Sequence, residues 1–98
     1  MMTKLKWSDL ELLGFRDLKF KPSVAGMYSV SARINTKVGK SFYWLNVNAQ
    51  SRKTVSRVMT VSLACQAILD VYNSFLEMPH KDKMNYIEES GSKLYDEG

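Results

Sequence analysis

The stretch MYSVSARINTKVGKSFYWLNVN, residues 27–48, decides the fold class. Its first part alternates strictly: Tyr28, Val30, Ala32 and Ile34 fall on one side, and Ser29, Ser31, Arg33 and Asn35 on the other. A period of two is that of a half-buried β-strand. TKVGK, residues 36–40, supplies a glycine-containing hairpin loop that carries Lys37 and Lys40, and SFYWLNVN, residues 41–48, returns as the antiparallel partner. Tyr43, Leu45 and Val47 then join the apolar set. Phe42, Trp44, Asn46 and Asn48 remain on the polar side, and two large aromatic rings on a polar face demand an explanation.

Working outward, RDLKFKPS, residues 16–23, alternates Leu18 and Phe20 with Lys19 and Lys21 and is stopped by Pro22, the pattern of an edge strand. WSDLELLGF before it predicts a short helix. Ser8 and Glu11 form a capping box, Trp7 packs on Leu12 as a staple, and Gly14 ends the helix, with Leu10, Leu13 and Phe15 facing the core. Residues 54–78 change to helical spacing. Val58, Val61, Cys65, Ile68, Tyr72 and Phe75 make an apolar stripe, widened by Met59, Leu69 and Leu76 and opposed by a narrow polar face. Because its start is rich in β-branched residues, TVSRVMTVS (residues 54–62) is alternatively a further strand before a shorter helix from Leu63. Met78 and Pro79 break the helix, and a final one spans residues 80–90 with Met84 and Ile87 inward, ended by Gly91. The acidic tail beyond it is expected to be loosely ordered unless Leu94 and Tyr95 pin it. The whole reads as one α+β domain over residues 1–98: a three-stranded antiparallel sheet packed on one long helix, with short N- and C-terminal helices.

Composition agrees with a single globular unit, at 98 residues, 45% hydrophobic and 24% charged. One cysteine and one histidine exclude an intramolecular disulfide and a Cys/His zinc site. Cys65, among Leu63, Ala64 and Ala67, reads as a small buried hydrophobe. No apolar run approaches the roughly 18 residues that span a bilayer, and the first residues lack a secretory core, so a cytoplasmic protein away from membranes is expected. The net charge of +4 hides an asymmetry. Residues 1–60 hold eleven Lys/Arg against three acids, and residues 61–98 hold three against seven.

Nothing in the sequence assembles a catalytic constellation or a cofactor motif. His80 follows a proline with no base or nucleophile beside it, and Glu88 and Glu89 point about 100° apart on a helix. The informative surface is the sheet face opposite the long helix. It is expected to carry Lys19, Lys21, Arg33, Phe42, Trp44, Asn46 and Asn48, with Lys37 and Lys40 in the hairpin loop and Arg52, Lys53 and Arg57 beyond the far end. Cations neutralise phosphate, aromatics stack on unpaired bases or wedge at a groove, and Asn and Arg hydrogen-bond base edges. Ser51 or Thr54 would cap the long helix and offer its first N–H groups to a phosphate. The expected partner is therefore DNA or RNA. Trp, Tyr and Arg also dominate protein interfaces, which fits a small regulator or inhibitor docking on an intracellular protein, as compact accessory proteins of phages and mobile elements do, or a homodimer. The competing expectation is that the N-terminal helix lies across this face and buries Phe42 and Trp44.

Over roughly residues 17–75, the sheet-then-helix order resembles the layout of the three-stranded DNA-binding domains of AP2 type and of integrase arm-binding domains. The strand of residues 28–34 is similar to the aromatic-x-Ala-Arg-Ile run of AP2 strands. The tight Gly-x-Phe turn into the helix is missing, and AQSRKT stands in its place. The resemblance is one of layout, and no family motif is matched.

Overall fold

The computed structural model describes residues 5–22, 27–52 and 61–95. In chain order it contains α1 (Trp7–Leu13), β1 (Arg16–Pro22), β2 (Met27–Val38), β3 (Ser41–Arg52), α2 (Val61–Glu77), α3 (His80–Glu89) and β4 (Lys93–Leu94). The sheet is antiparallel in the order β1-β2-β3-β4, so the α+β class holds, with a fourth strand added to the expected three. Residues 53–60, and with them Lys53, Arg57 and the expected start of the long helix, lie outside the described residues.

The central hairpin is longer than the sequence pattern marks. Thr36, Lys37 and Val38 are strand rather than loop, because Thr36 and Val38 continue the buried register and pair with Tyr43 and Ser41. The reversal shrinks to Gly39 and Lys40, with Gly39 at φ 64°, a conformation that suits a two-residue turn and favours glycine. A Cβ at Gly39 would also come within 3.3 Å of the His80 ring, where α3 starts against the turn. Thr36, expected in the glycine-containing loop, is instead a buried strand residue. Its hydroxyl is 3.3 Å from that of Tyr72 on α2, which satisfies a polar group at an otherwise apolar face.

One face of the sheet makes the core, as the alternation requires. Val30, Ala32, Ile34 and Val38 of β2 and Leu45, Val47 and Ala49 of β3 are buried with Ala64, Cys65, Ile68 and Phe75 of α2. Val61 and Leu76, at the two ends of the α2 stripe, stay substantially exposed. Ile87 of α3 is buried in the same core, and the Tyr86 ring meets Phe75 edge-on at 5.4 Å. Burial pushes the Cys65 thiol above its ordinary pKa, with the Asp9 carboxylate adding in the same direction, so it remains a protonated apolar group.

α1 joins this same core. Leu10 and Phe15 are fully buried, and Phe15 meets Tyr72 of α2 edge-on at 5.3 Å. The helix starts earlier than expected: Asp9, rather than Glu11, reaches back, accepting the Lys6 backbone N–H at 3.0 Å. Gly14, at φ 110°, ends it as predicted, with the Gly14 N–H donating to the Glu11 carbonyl and the Phe15 N–H to that of Leu10. That turn drives Phe15 inward and leaves Leu13 outside, correcting its placement in the core, and Leu12 is 87% exposed and carries no staple. α3 ends in the same way at Gly91, φ 70°, with the Ser92 N–H donating to the Ile87 carbonyl.

Candidate nucleic-acid interface

The second face of the sheet is built by β2 and β3 in register. Arg33 lies opposite Asn46, Asn35 opposite Trp44, Lys37 opposite Phe42 and Ser31 opposite Asn48. None of the described helices packs here. The expectation that α1 would bury Phe42 and Trp44 is therefore overturned, because its apolar side is already spent on the α2 side of the sheet.

A cation stands over each ring. The Arg33 guanidinium carbon lies 5.0 Å from the Trp44 ring centroid, and Lys37 Nζ lies 5.7 Å from that of Phe42. Such contacts are worth roughly 0.5–1 kcal/mol at exposed sites. They hold aromatic rings at a wet surface without a second core. Phe42 keeps 45% of its surface exposed, whereas Trp44 is half-buried. Tyr95 stands against Trp44, its ring 5.7 Å away and tilted by 57°.

Arg33 is fixed from its other side by β1. Two β1 residues, Asp17 and Leu18, stand against Ala32 alone, since Arg16 pairs with Arg33 and Lys19 with Ser31. This β-bulge puts Asp17 in the left-handed region at φ 59°, where aspartate is tolerated better than most residues. Its Oδ2 accepts from Arg33 Nε at 2.8 Å and pairs with Nη2. The bulge re-aims a carboxylate at the centre of the face. Arg16 turns elsewhere, donating to the carbonyls of Phe15 and Glu11 at the end of α1.

Of the tail over residues 91–98, expected to be loose unless Leu94 and Tyr95 pinned it, the described residues 93–95 run along β3. Lys93 pairs with Trp44 and Leu94 with Tyr43, and the Tyr95 N–H donates to the Phe42 carbonyl at 2.8 Å. Asn46 holds the approach to this strand. Its Nδ2 donates to the carbonyls of Ser90 at 3.1 Å and Gly91 at 3.3 Å, while its backbone N–H donates to Ser92 Oγ at 2.9 Å. The Tyr86 hydroxyl donates to the Asn46 carbonyl and accepts the Asn48 N–H, both at 3.2 Å, closing the strand edge where β4 stops. Asn46 is thus a structural joint as well as a lining residue.

Two adjoining depressions mark the face. One, of about 410 Å³, is lined by Arg33, Trp44, Asn46, Gly91, Lys93 and Leu94. The other, of about 570 Å³, is lined by Asp17, Lys19, Ser31, Ala32, Arg33, Asn46 and Asn48. Arg33 and Asn46 form the wall between them. Of the residues expected here, Lys19, Arg33, Lys37, Phe42, Trp44, Asn46 and Asn48 come together, and Lys40 is exposed at the hairpin turn. Lys21 and Arg52 lie on β1 and β3, with only their backbones described. Lys93, Tyr95 and Asp17 are additions: a two-residue strand and a bulge leave no periodic signature.

Charge separates by layer. The four strands and the hairpin turn hold eight Lys/Arg against Asp17 alone, whereas the three helices hold Lys81 and Lys83 against seven acids. The sequence shows this as a difference between chain halves, and the fold converts it into one between strands and helices. Among the described residues, no three His, Cys, Asp or Glu side chains gather to hold a metal, and no helix is long and apolar enough to cross a membrane. Searches against known protein families, curated proteins and solved structures give no match to the chain.

Proposed function

We propose that this protein is a non-catalytic module that binds nucleic acid through the open face of its sheet. The observation that carries this reading is the segregation of charge: a polyanion approaching the sheet meets Lys19, Arg33, Lys37 and Lys93, and one approaching the helices meets their carboxylates. The cations supply salt-dependent affinity, and Phe42, Trp44 and the amide of Asn48 supply contacts to bases. Lys40, Lys21, Arg52, Lys53 and Arg57 extend the same charge along the chain.

Charge reversal by layer tests the proposal. Lys19→Glu with Lys37→Glu abolishes binding of a labelled oligonucleotide at low salt, while Lys6→Glu with Lys81→Glu, also exposed and of equal charge change, leaves most of it. Equal losses from both pairs would reduce the effect to net charge and defeat the assignment to the sheet. A second reading, docking on a protein as a small regulator or inhibitor, is favoured by Leu12 and Leu13, adjacent and largely exposed on α1. In that case Leu12→Asp abolishes recovery of a stoichiometric, nuclease-resistant partner.

A further inference from the structure

We infer that the ligand of this face is single-stranded nucleic acid, one unpaired base stacking at Trp44 while the neighbouring phosphate sits at Lys19. The inference rests on the nucleic-acid reading above and narrows it. The two depressions share a wall and the Arg33 cation, but the aromatic ring belongs to one alone. The smaller combines the Trp44 ring and Leu94 with Lys93, whereas the larger has no aromatic lining and sets Lys19, Ser31 and Asn48 beside Asp17. A nucleotide likewise places a flat base beside an anionic phosphate.

Arg33 stands between them, held by Asp17 through Nε and Nη2 and by the Trp44 ring, so its orientation is set before a ligand arrives. A base held in a duplex cannot turn its face toward Trp44 without leaving the stack. An unpaired base pays no such cost, and aromatic side chains on a sheet are a recurring platform for it. The alternative occupant, a duplex lying on the cations alone, would leave the ring unused. Asp17 limits affinity: its carboxylate lines the phosphate depression, so binding proceeds against a repulsion that Arg33 offsets.

The test compares fluorescein-labelled 12-nucleotide oligothymidylate and oligouridylate with a mixed-sequence 12-base-pair duplex, by anisotropy at low salt. Both single strands bind at least about ten-fold tighter than the duplex, and the order of the two distinguishes DNA from RNA as the source. Trp44→Leu weakens single-strand binding by roughly five- to a hundred-fold, the range for loss of one base stack, and leaves duplex binding nearly unchanged. Because Trp44 is half-buried, a second readout leaves it in place. The chain has two tryptophans, so in Trp7→Phe the Trp44 emission stands alone, and single strands quench it saturably where the duplex does not. Equal or tighter duplex binding, or unquenched Trp44 emission with bound single strand, overturns the inference and leaves the nucleic-acid reading standing. Absence of binding by all three probes overturns both.

Discussion

Asn46 gives the sharpest test of how the open face is built. In the sequence it belongs to the polar side of β3 and reads as a partner contact. In the fold its amide donates to the carbonyls of Ser90 and Gly91, which fixes the end of α3 and the path into β4. Asn46→Ala removes two side-chain hydrogen bonds, one partly buried and one exposed, each worth about 1 kcal/mol net, so the expected loss is about 2 kcal/mol. For a domain of this size that lowers the Tm by about 8–16 °C. Asn46→Asp keeps the shape but places a carboxylate against two carbonyl oxygens. It should cost more than the alanine at pH 7, and recover as acid protonates the new group into a donor. Thermal unfolding followed by circular dichroism at pH 7 and pH 4, for the three proteins in parallel, reads all of this. The reasoning fails if Asn46→Ala melts within 2 °C of the parent, or if Asn46→Asp is no less stable than Asn46→Ala at pH 7.

Asp17→Asn removes an exposed ion pair, worth roughly 0–1 kcal/mol, and asparagine suits the left-handed bulge position, so the melting temperature barely moves while oligonucleotide affinity rises several-fold; an unchanged or lower affinity counts against the repulsion assigned to Asp17. On α1, Leu10→Ala costs about 3–5 kcal/mol in urea unfolding, whereas Leu12→Ala and Leu13→Ala fall within about 0.5 kcal/mol of the parent; a similar cost at all three would refute the turn geometry at Gly14. Cys65 has its folded pKa raised above the unfolded one, so the stability linked to it is complete below the unfolded value of about 8.5 and declines as pH climbs toward the folded value. The stability gap between the parent and Cys65→Ala therefore narrows from pH 7 to pH 9.5, and a gap that widens contradicts the burial of the thiol.

The parts of the fold legible in the sequence are those in which one residue type repeats at a fixed period. Val30 to Ile34 and Tyr43 to Val47 assign themselves to the core face, and the placement of Arg33, Phe42, Trp44 and Asn48 on the other face follows from alternation. Gly14 and Gly91 announce the helix ends because left-handed turns favour glycine. What stayed hidden depends on single polar contacts. Thr36 extends β2 by finding the Tyr72 hydroxyl, Asp17 enters the site through one extra residue in β1, and Lys93 and Leu94 become a strand because Asn46, Tyr86 and Ser92 hold the chain against β3. The side on which α1 packs was open as well, since Leu10, Leu13 and Phe15 suit either face until the turn at Gly14 fixes which of them point inward.

The charged sheet face is the centre of the account, and the salt dependence of binding addresses it most directly. With Lys19, Arg33, Lys37 and Lys93 available to phosphates, a plot of log affinity for oligothymidylate against log salt concentration should be linear, with a slope of roughly −2 to −3 at about 0.7 per phosphate contact. Lys19→Gln should make it shallower by about 0.7. A slope near zero, or no measurable binding at low salt, would contradict the account.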